Sequence, residues 1–216
     1  MKKFLLSLIL VIILGLFGNV YGKDIIPTAP ITNNVRTVGL YQVGKDVTIY
    51  KFPDENSHIL YRVRWSFEEF FPQTIGADKF FSVFLADKEL GLVNTVDVAD
   101  GWVEIVYNNE TGETGWIKED DPYKFMTWIN FYNSYGKKYG LNLLRGAPEF
   151  CKNIKATTED NSKTISQINV PKKIHLNIIK GNWALVSVMD LDRTPKTGYV
   201  RWRSDDGVKY YFPAIK

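Results

Sequence analysis

The chain has 216 residues and a formal net charge of +3, and 45% of its residues are apolar and 14% aromatic. This length suits one large domain or two small ones, and the apolar content is sufficient for a buried core. A single cysteine excludes an intrachain disulfide. The charge is nearly balanced and shows no concentrated basic segment, so the composition argues against a nucleic-acid-binding protein.

The first 22 residues have the three parts of a secretory signal peptide. Lys2 and Lys3 precede an apolar run over 4–17, and Gly22 is a small residue suited to cleavage before Lys23. The alternative is a retained membrane anchor, but a run of about 14 residues is shorter than the roughly 20 that span a bilayer. We therefore expect an exported protein of the periplasm or the extracellular cell envelope, with no membrane span after cleavage. Cleavage would remove two of the 27 Lys and Arg residues, which leaves 25 basic residues against 24 Asp and Glu.

A Pro- and Thr-rich stretch then predicts an extended leader over 23–37, after which apolar strands alternate with polar turns. Residues 101–118 predict a hairpin, because alternating β-branched and aromatic residues flank a polar turn. Residues 66–78 interrupt the strand pattern with a loop or a short helical turn. The other strands predicted before the hairpin lie at 47–50, 59–65, 80–86 and 90–98.

Residues 120–140 predict an amphipathic helix that links two parts of the chain. Asp120 and Asp121 before Pro122 are typical of a helix start, and Gly136 or Gly140 offers the end. We expect its aromatic face to pack against a neighbouring domain. The residues at helical spacing on this face are Phe125, Trp128, Ile129, Tyr132 and Tyr135.

The chain after residue 140 repeats its first part. Residues 154–162 (IKATTEDNS) align with 49–57 (IYKFPDENS) at an offset of 105, and Trp183 of a second hairpin aligns with Trp102 at an offset of 81. The first copy therefore has about 24 additional residues, which we place at about 66–89. The two copies, 38–119 and 141–216, are predicted to be domains that each close their own core.

The hairpin motif resembles the signature of bacterial SH3 domains. It consists of Gly-Trp, alternating apolar residues, a polar turn and Thr-Gly-Trp-Ile, and the second copy has Asn182 in place of the first Gly and Tyr199 in place of the second Trp. The resemblance implies a mainly β protein, with two SH3-like β-barrels joined by the amphipathic α-helix. It also implies recognition of peptidoglycan stem peptide, or of another extended peptide in the cell envelope, at a cleft lined by aromatic residues.

Aromatic residues on the hairpins and the preceding strand are the candidate ligand-binding residues, since they offer large contact areas to peptides and sugars. Packing in the core is the alternative for each, and we expect it for Trp202, which alternates with two arginines. The candidates are Tyr50, Trp102, Tyr107, Trp116, Trp183 and Tyr199. We expect a non-catalytic binding module whose partner is a cell-wall peptide or an envelope protein. The alternative is a structural subunit whose two barrels form one rigid body that binds a neighbouring protein.

No motif predicts catalysis, a metal site or a cofactor. Cys151 and His175 are the residues that a cysteine peptidase would use, but Cys151 falls on the first strand of the second copy, where a thiol is typical core filler. His58 and His175 lie in unrelated contexts, without a cysteine pair to complete a metal site. The acidic pairs at 120–121 and 205–206 are interpreted as a helix cap and a tight turn.

Overall fold

The computed structural model describes residues 23–32, 35–66, 69–121, 123–168, 174–189 and 193–215, and the fold is mainly β, as predicted. The predicted signal peptide, residues 1–22, lies outside the described residues. Within the described ranges, no helix has the length and apolar character needed to cross a membrane.

The first half forms a large antiparallel sheet. Its described strands are β1 (Gly39–Gln42), β2 (Asp46–Tyr50), β3 (Ile59–Trp65), β4 (Phe70–Phe71), β5 (Val83–Leu85), β6 (Leu90–Ala99), β7 (Trp102–Asn108), β8 (Glu113–Lys118) and β9 (Phe125–Thr127). Their order is β4-β3-β2-β8-β7-β6-β1-β9, and β5 pairs with β6 beside this path.

The second half contains a smaller antiparallel sheet and a separate strand pair. Its described strands are β10 (Leu141–Leu143), β11 (Asn153–Lys155), β12 (Thr164–Gln167), β13 (His175–Lys180), β14 (Trp183–Met189), β15 (Pro195–Arg201) and β16 (Tyr211–Pro213). The sheet has the order β12-β11-β15-β14-β13, while β10 pairs with β16.

The prediction of two closed barrels differs from the structure, because among the described strands both larger sheets are open. β4 and β9 end the first sheet, and β12 and β13 end the second. In the first sheet β1 pairs with β6 on one side and with β9 on the other, so β9 adds a further strand at this end. At the other end Arg64 and Trp65 pair with β4. Closure would require the two end strands to pair with each other.

The first hairpin of each half has the same register at the predicted offset of 105. The bulge that follows Ile49 recurs after Ile154, and the strand partners of these residues are also 105 apart. The turns match as well. The hydroxyls of Ser57 and Ser162 each accept a hydrogen bond from a backbone N–H five residues earlier, at 3.0 and 2.9 Å.

The second hairpin is also repeated, but at a smaller offset. Trp102 pairs with Lys118 and Trp183 pairs with Arg201 in equivalent places. The offset falls from 105 at the first hairpin to 81 at these tryptophans, so the first half has 24 additional residues between β3 and β7. The chain there forms β4, a short helix α1 (Ala77–Phe80), β5 and a 3-10 turn (Ala86–Lys88).

The linker differs from the predicted continuous helix over 120–140. The strand β9 comes first, because its backbone pairs with β1. The helix begins at Trp128, where the Thr127 hydroxyl accepts a hydrogen bond from the Asn130 N–H at 3.2 Å. The helical segment consists of α2 (Trp128–Phe131), a π-helical turn (Tyr132–Gly136) and α3 (Lys137–Tyr139), and it ends at Gly140 with φ of +86°. The acidic pair at 120–121 therefore does not cap this helix.

One buried core joins the two halves. It contains Leu40 and Leu92 from the first sheet together with Val186 and Trp202 from the second half. Between them lie Trp128, Phe131 and Tyr132 of the helical segment. The aromatic face of this segment is thus packed and Trp202 is buried, as predicted, but Ile129 is exposed and Phe131 takes its place. A second core lies within the first half.

Residues 23–32 of the predicted leader are hydrogen-bonded to both halves. Ile25 exchanges two backbone hydrogen bonds of 2.8 Å with Phe84 of β5. Ile31 pairs in the same way with Lys209 of the second half. This N-terminal strap (23–32) therefore connects the additional segment of the first half to the second half.

Candidate functional site

Three of the predicted aromatic residues meet on the outer face of the first sheet. Tyr50 pairs with Trp116 across β2 and β8, and its ring makes a T-shaped contact with Trp102 at 5.5 Å between centroids. All three side chains are half-buried. Lys118, opposite Trp102 in the register, forms an ion pair with Glu55. The Tyr50 and Trp102 rings contact each other, and all three aromatic side chains leave part of their surface open to solvent.

Tyr107 lies apart from this group. It is buried in the core of the first half, and its ring centroid is 5.2 Å from that of Tyr61. Burial raises the pKa of the Tyr107 phenol, and the nearby charge of Glu113 adds to this effect. Tyr107 therefore packs in the core and does not contribute to the open face.

Trp183 and Tyr199 lie on the equivalent outer face of the second sheet, where Tyr199 is half-buried and Trp183 is buried. The position of Tyr50 is taken there by Lys155, which pairs with Tyr199. At this position Trp183 therefore has a lysine as its neighbour, whereas Trp102 has a tyrosine. Instead the guanidinium of Arg201 lies over the Trp183 ring, 5.5 Å from its centroid.

A cleft of about 610 Å³ opens beside Trp183. Ligand pockets are typically about 300–1,000 Å³ in volume. Phe150 and Tyr210 line one side in T-shaped contact, with centroids 5.8 Å apart, and Phe150 is 49% exposed. The charged residues of the lining are Lys155, Asp160, Arg201, Asp205 and Asp206. The cleft thus combines an aromatic wall with a charged rim.

Arg201 organises this rim. Its Nη1 donates to both carboxylate oxygens of Asp160 at 2.8 Å, and its Nη2 forms an ion pair of 2.7 Å with Asp205. Burial by itself lowers the pKa of Arg201, but the two carboxylates outweigh this effect and raise the pKa above its ordinary value. The Arg201 side chain is 12% exposed, whereas both carboxylates face solvent. The carboxylates can therefore accept further hydrogen bonds from a ligand.

A smaller hollow of about 310 Å³ adjoins the cleft and shares Phe150 and Asn153 with it. Its lining is polar. Gln167 donates from Nε2 to the Asn153 Oδ1 at 2.8 Å, and Lys152 forms an ion pair of 2.7 Å with Glu149. The cleft and the hollow together form a groove that a chain-like ligand can follow across Phe150.

Sequence patterns did not indicate most of the groove residues, although the repeat carried a usable signal. The offset of 105 aligns Asp160 with Glu55, and the second hairpin aligns Arg201 with Lys118, so the same ion pair occurs in both copies. Phe150 had no such signal. A 3-10 turn (Glu149–Lys152) presents it, and neither strand nor helix periodicity predicts that turn.

Cys151 is buried, in keeping with its interpretation as core filler. Its carbonyl accepts a hydrogen bond of 2.6 Å from the Tyr211 hydroxyl. Burial raises the pKa of the Cys151 thiol to about 12, so the thiol is protonated at neutral pH and is a poor nucleophile. His175 is exposed on β13. In the part of the chain that the structure describes, no three His, Cys, Asp or Glu side chains are grouped to hold a metal ion.

No protein-family model matches the chain, and no curated protein is significantly similar to it. The resemblance to bacterial SH3 domains therefore rests on the hairpin motifs.

Proposed function

We propose that this protein is a non-catalytic, exported binding module of the bacterial SH3 type that recognises peptidoglycan stem peptide or another extended peptide in the cell envelope. The observation that carries the proposal is the cleft beside Trp183. A concave site with aromatic walls and a few fixed polar groups is the usual form of a ligand site. Phe150 and Tyr210 provide most of the apolar contact area, since Trp183, which also lines the cleft, is only 8% exposed. Arg201 with its two carboxylates provides directional polar groups.

The adjoining hollow supports an extended ligand. Asn153 and Gln167 carry amide groups, which can donate to and accept from a peptide backbone. A ligand that occupies both the cleft and the hollow must pass over Phe150. The exposed ring then offers a flat contact to the ligand chain at small entropic cost, because an aromatic side chain has few rotatable bonds.

Retention on insoluble peptidoglycan tests the proposal. The chain from Lys23 onward is compared with Phe150→Ala and with the matched control Phe52→Ala, which removes a 58% exposed phenylalanine from the first half. We expect the wild type and Phe52→Ala to be retained and Phe150→Ala to be lost, with all three folded by circular dichroism. Equal retention of the two variants contradicts a site in the groove. Failure of the wild type to bind excludes stem peptide and restricts the proposal to an envelope-protein segment.

A second candidate function is a rigid structural subunit that binds a neighbouring protein through both halves. The core that joins the halves favours it, because Trp128, Tyr132 and Trp202 are buried between them. The N-terminal strap adds backbone hydrogen bonds to both halves. Under this function, partner binding is expected to be lost when the strap is deleted and to be unaffected by Phe150→Ala.

A further inference from the structure

A row of four side chains crosses the outer face of the second sheet. In the hydrogen-bond register Lys155 pairs with Tyr199, Tyr199 with Leu185, and Leu185 with Ile178. Along the strands these residues alternate with buried neighbours such as Val186, so they lie on the face turned away from the core. Tyr199 and Leu185 are half-buried, and Ile178 is 49% exposed. We refer to these four residues as the outer row.

The first half has different chemistry at the equivalent positions. There Tyr50 pairs with Trp116, Trp116 with Glu104, and Glu104 with Asp97. A bulge precedes Asp97 as another precedes Ile178. Two carboxylates thus occupy the places that Leu and Ile hold in the outer row. A solvated sheet face normally carries polar side chains, so the apolar end of the outer row departs from the pattern of its own internal copy.

The outer row is continuous with the cleft. Lys155 belongs to both, and Trp183 of the cleft is two residues from Leu185 on the same face of β14. The cleft contributes three carboxylates against two basic side chains, which favours a ligand with a basic group. A ligand that leaves the cleft along this face meets Tyr199, Leu185 and then Ile178.

The dimensions of the outer row suit one extended chain. Neighbouring strands are about 4.8 Å apart, so four strands span roughly 14 Å, the length of about four residues of extended peptide. A stable interface with a second copy would bury about 800 Å² on each partner, which is more than three apolar side chains provide.

We infer that the ligand is an extended segment of an envelope protein, which places a basic side chain at the cleft and bulky apolar side chains on the outer row. The inference rests on the proposed function, in which the cleft binds an extended peptide. It specifies a polypeptide with bulky apolar residues as the partner.

Selection from a displayed library of random peptides of about 12 residues, with the chain from Lys23 onward as bait, tests this inference. Selected peptides are expected to carry Lys or Arg about three to five residues from Leu, Ile, Val or Phe. The variant Leu185→Glu/Ile178→Asp introduces the residues that the first half carries, and it is expected to bind these peptides at least about tenfold more weakly. The matched control Glu104→Gln/Asp97→Asn is expected to bind them with unchanged affinity.

Other results overturn the inference in distinguishable ways. If the selected peptides lose affinity for Phe150→Ala but not for Leu185→Glu/Ile178→Asp, the cleft binds peptide and the outer row does not. If the protein is retained on peptidoglycan but enriches no peptide from the library, stem peptide is the ligand and the outer row is not its site. If neither binds, the proposed function fails together with the inference. A wild-type dimer that the double substitution dissociates in sedimentation assigns the outer row to a second copy of the chain.

Discussion

The Nζ atom of Lys209 lies 3.9 Å from the centroid of the Trp128 ring, and the lysine is only 3% exposed. The amine is enclosed where the halves meet, since the backbone of Lys209 pairs with Ile31 of the N-terminal strap. Burial, assisted by the charge of Arg203, lowers the pKa of Lys209 to about 7. The attraction of the ammonium group to the Trp128 ring offsets only part of this desolvation.

Lys209 is expected to make the free energy of unfolding rise between pH 7 and about 8.5. The ordinary lysine pKa is 10.5, so in this range the unfolded chain binds more protons than the folded one, and stability increases with pH. The buried amine is therefore destabilising, and its cost grows as the pH falls towards 7. Lys209→Met removes this dependence and should raise the free energy of unfolding at pH 7 by about 2 kcal/mol. Urea unfolding across this range measures both effects.

An exposed lysine provides the control, since Lys180→Met should leave the slope unchanged. The range ends near pH 8.5 because two other groups act in the opposite direction at higher pH. Burial raises the pKa values of Cys151 and Tyr211, so from about pH 9 upward these groups deprotonate in the unfolded chain first and the free energy of unfolding falls. The same slope in Lys209→Met and wild type would contradict this account of the buried amine.

Gly198 and Gly115 occupy equivalent positions, and alanine at Gly198 is expected to be the more damaging. A Cβ at Gly198 would lie 2.6 Å from the backbone oxygen of Lys155, whereas a Cβ at Gly115 would lie 2.6 Å from the Cγ2 methyl of Ile49. A carbonyl within a sheet moves less readily than a side-chain methyl. We expect Gly198→Ala to cost about 2–3 kcal/mol in urea unfolding and Gly115→Ala to cost less. Equal costs would show that the backbone contact is not limiting.

The thiol of Cys151 is expected to react with a disulfide reagent only when the chain unfolds. It is buried and protonated at neutral pH, so labelling of the folded protein should be on the order of 100-fold slower than labelling in urea. Cys151→Ala should leave ligand binding unchanged. Rapid labelling of the folded protein would mean that the thiol is accessible and would reopen a chemical role for it.

Deletion of the N-terminal strap is expected to lower the free energy of unfolding by at least about 2 kcal/mol. Ile25 packs against the second core, which lies within the first half, and Ile31 packs against the core that joins the halves. Their backbone hydrogen bonds would also be lost. Ile25→Ala/Ile31→Ala keeps the backbone and should show a smaller loss. A chain that lacks residues 23–32 and unfolds at the wild-type urea concentration would contradict the structural role of the strap.

Local patterns explain why the repeat could be predicted and the sheet ends could not. Ile49 and Ile154 lie in matching strands with matching turns, and such features are encoded within a few residues. The sequence predicts helix at the strand β9, because Phe125 and Trp128 also fit a helical period. Its pairing with β1 connects residues more than 80 positions apart, which no local pattern reports.

The candidate site was predictable to a similar extent. Trp183 could be named from its hairpin, since the motif marks it directly. Phe150 could not, because it reaches the cleft by contact with Tyr210, which lies 60 residues further along the chain. The contrast between Leu185 and Glu104 becomes informative only when the strand register shows that they are equivalent.

Nuclear magnetic resonance of the labelled chain tests binding at the cleft most directly. The chain is titrated first with soluble peptidoglycan fragments and then with the selected peptides. The account predicts that one of the two ligands shifts the indole N–H signal of Trp183 and the side-chain signals of Arg201, while the indole signals of Trp102 and Trp116 stay in place. Shifts at Trp102 and Trp116 without a change at Trp183 would contradict the account and place the site on the first sheet.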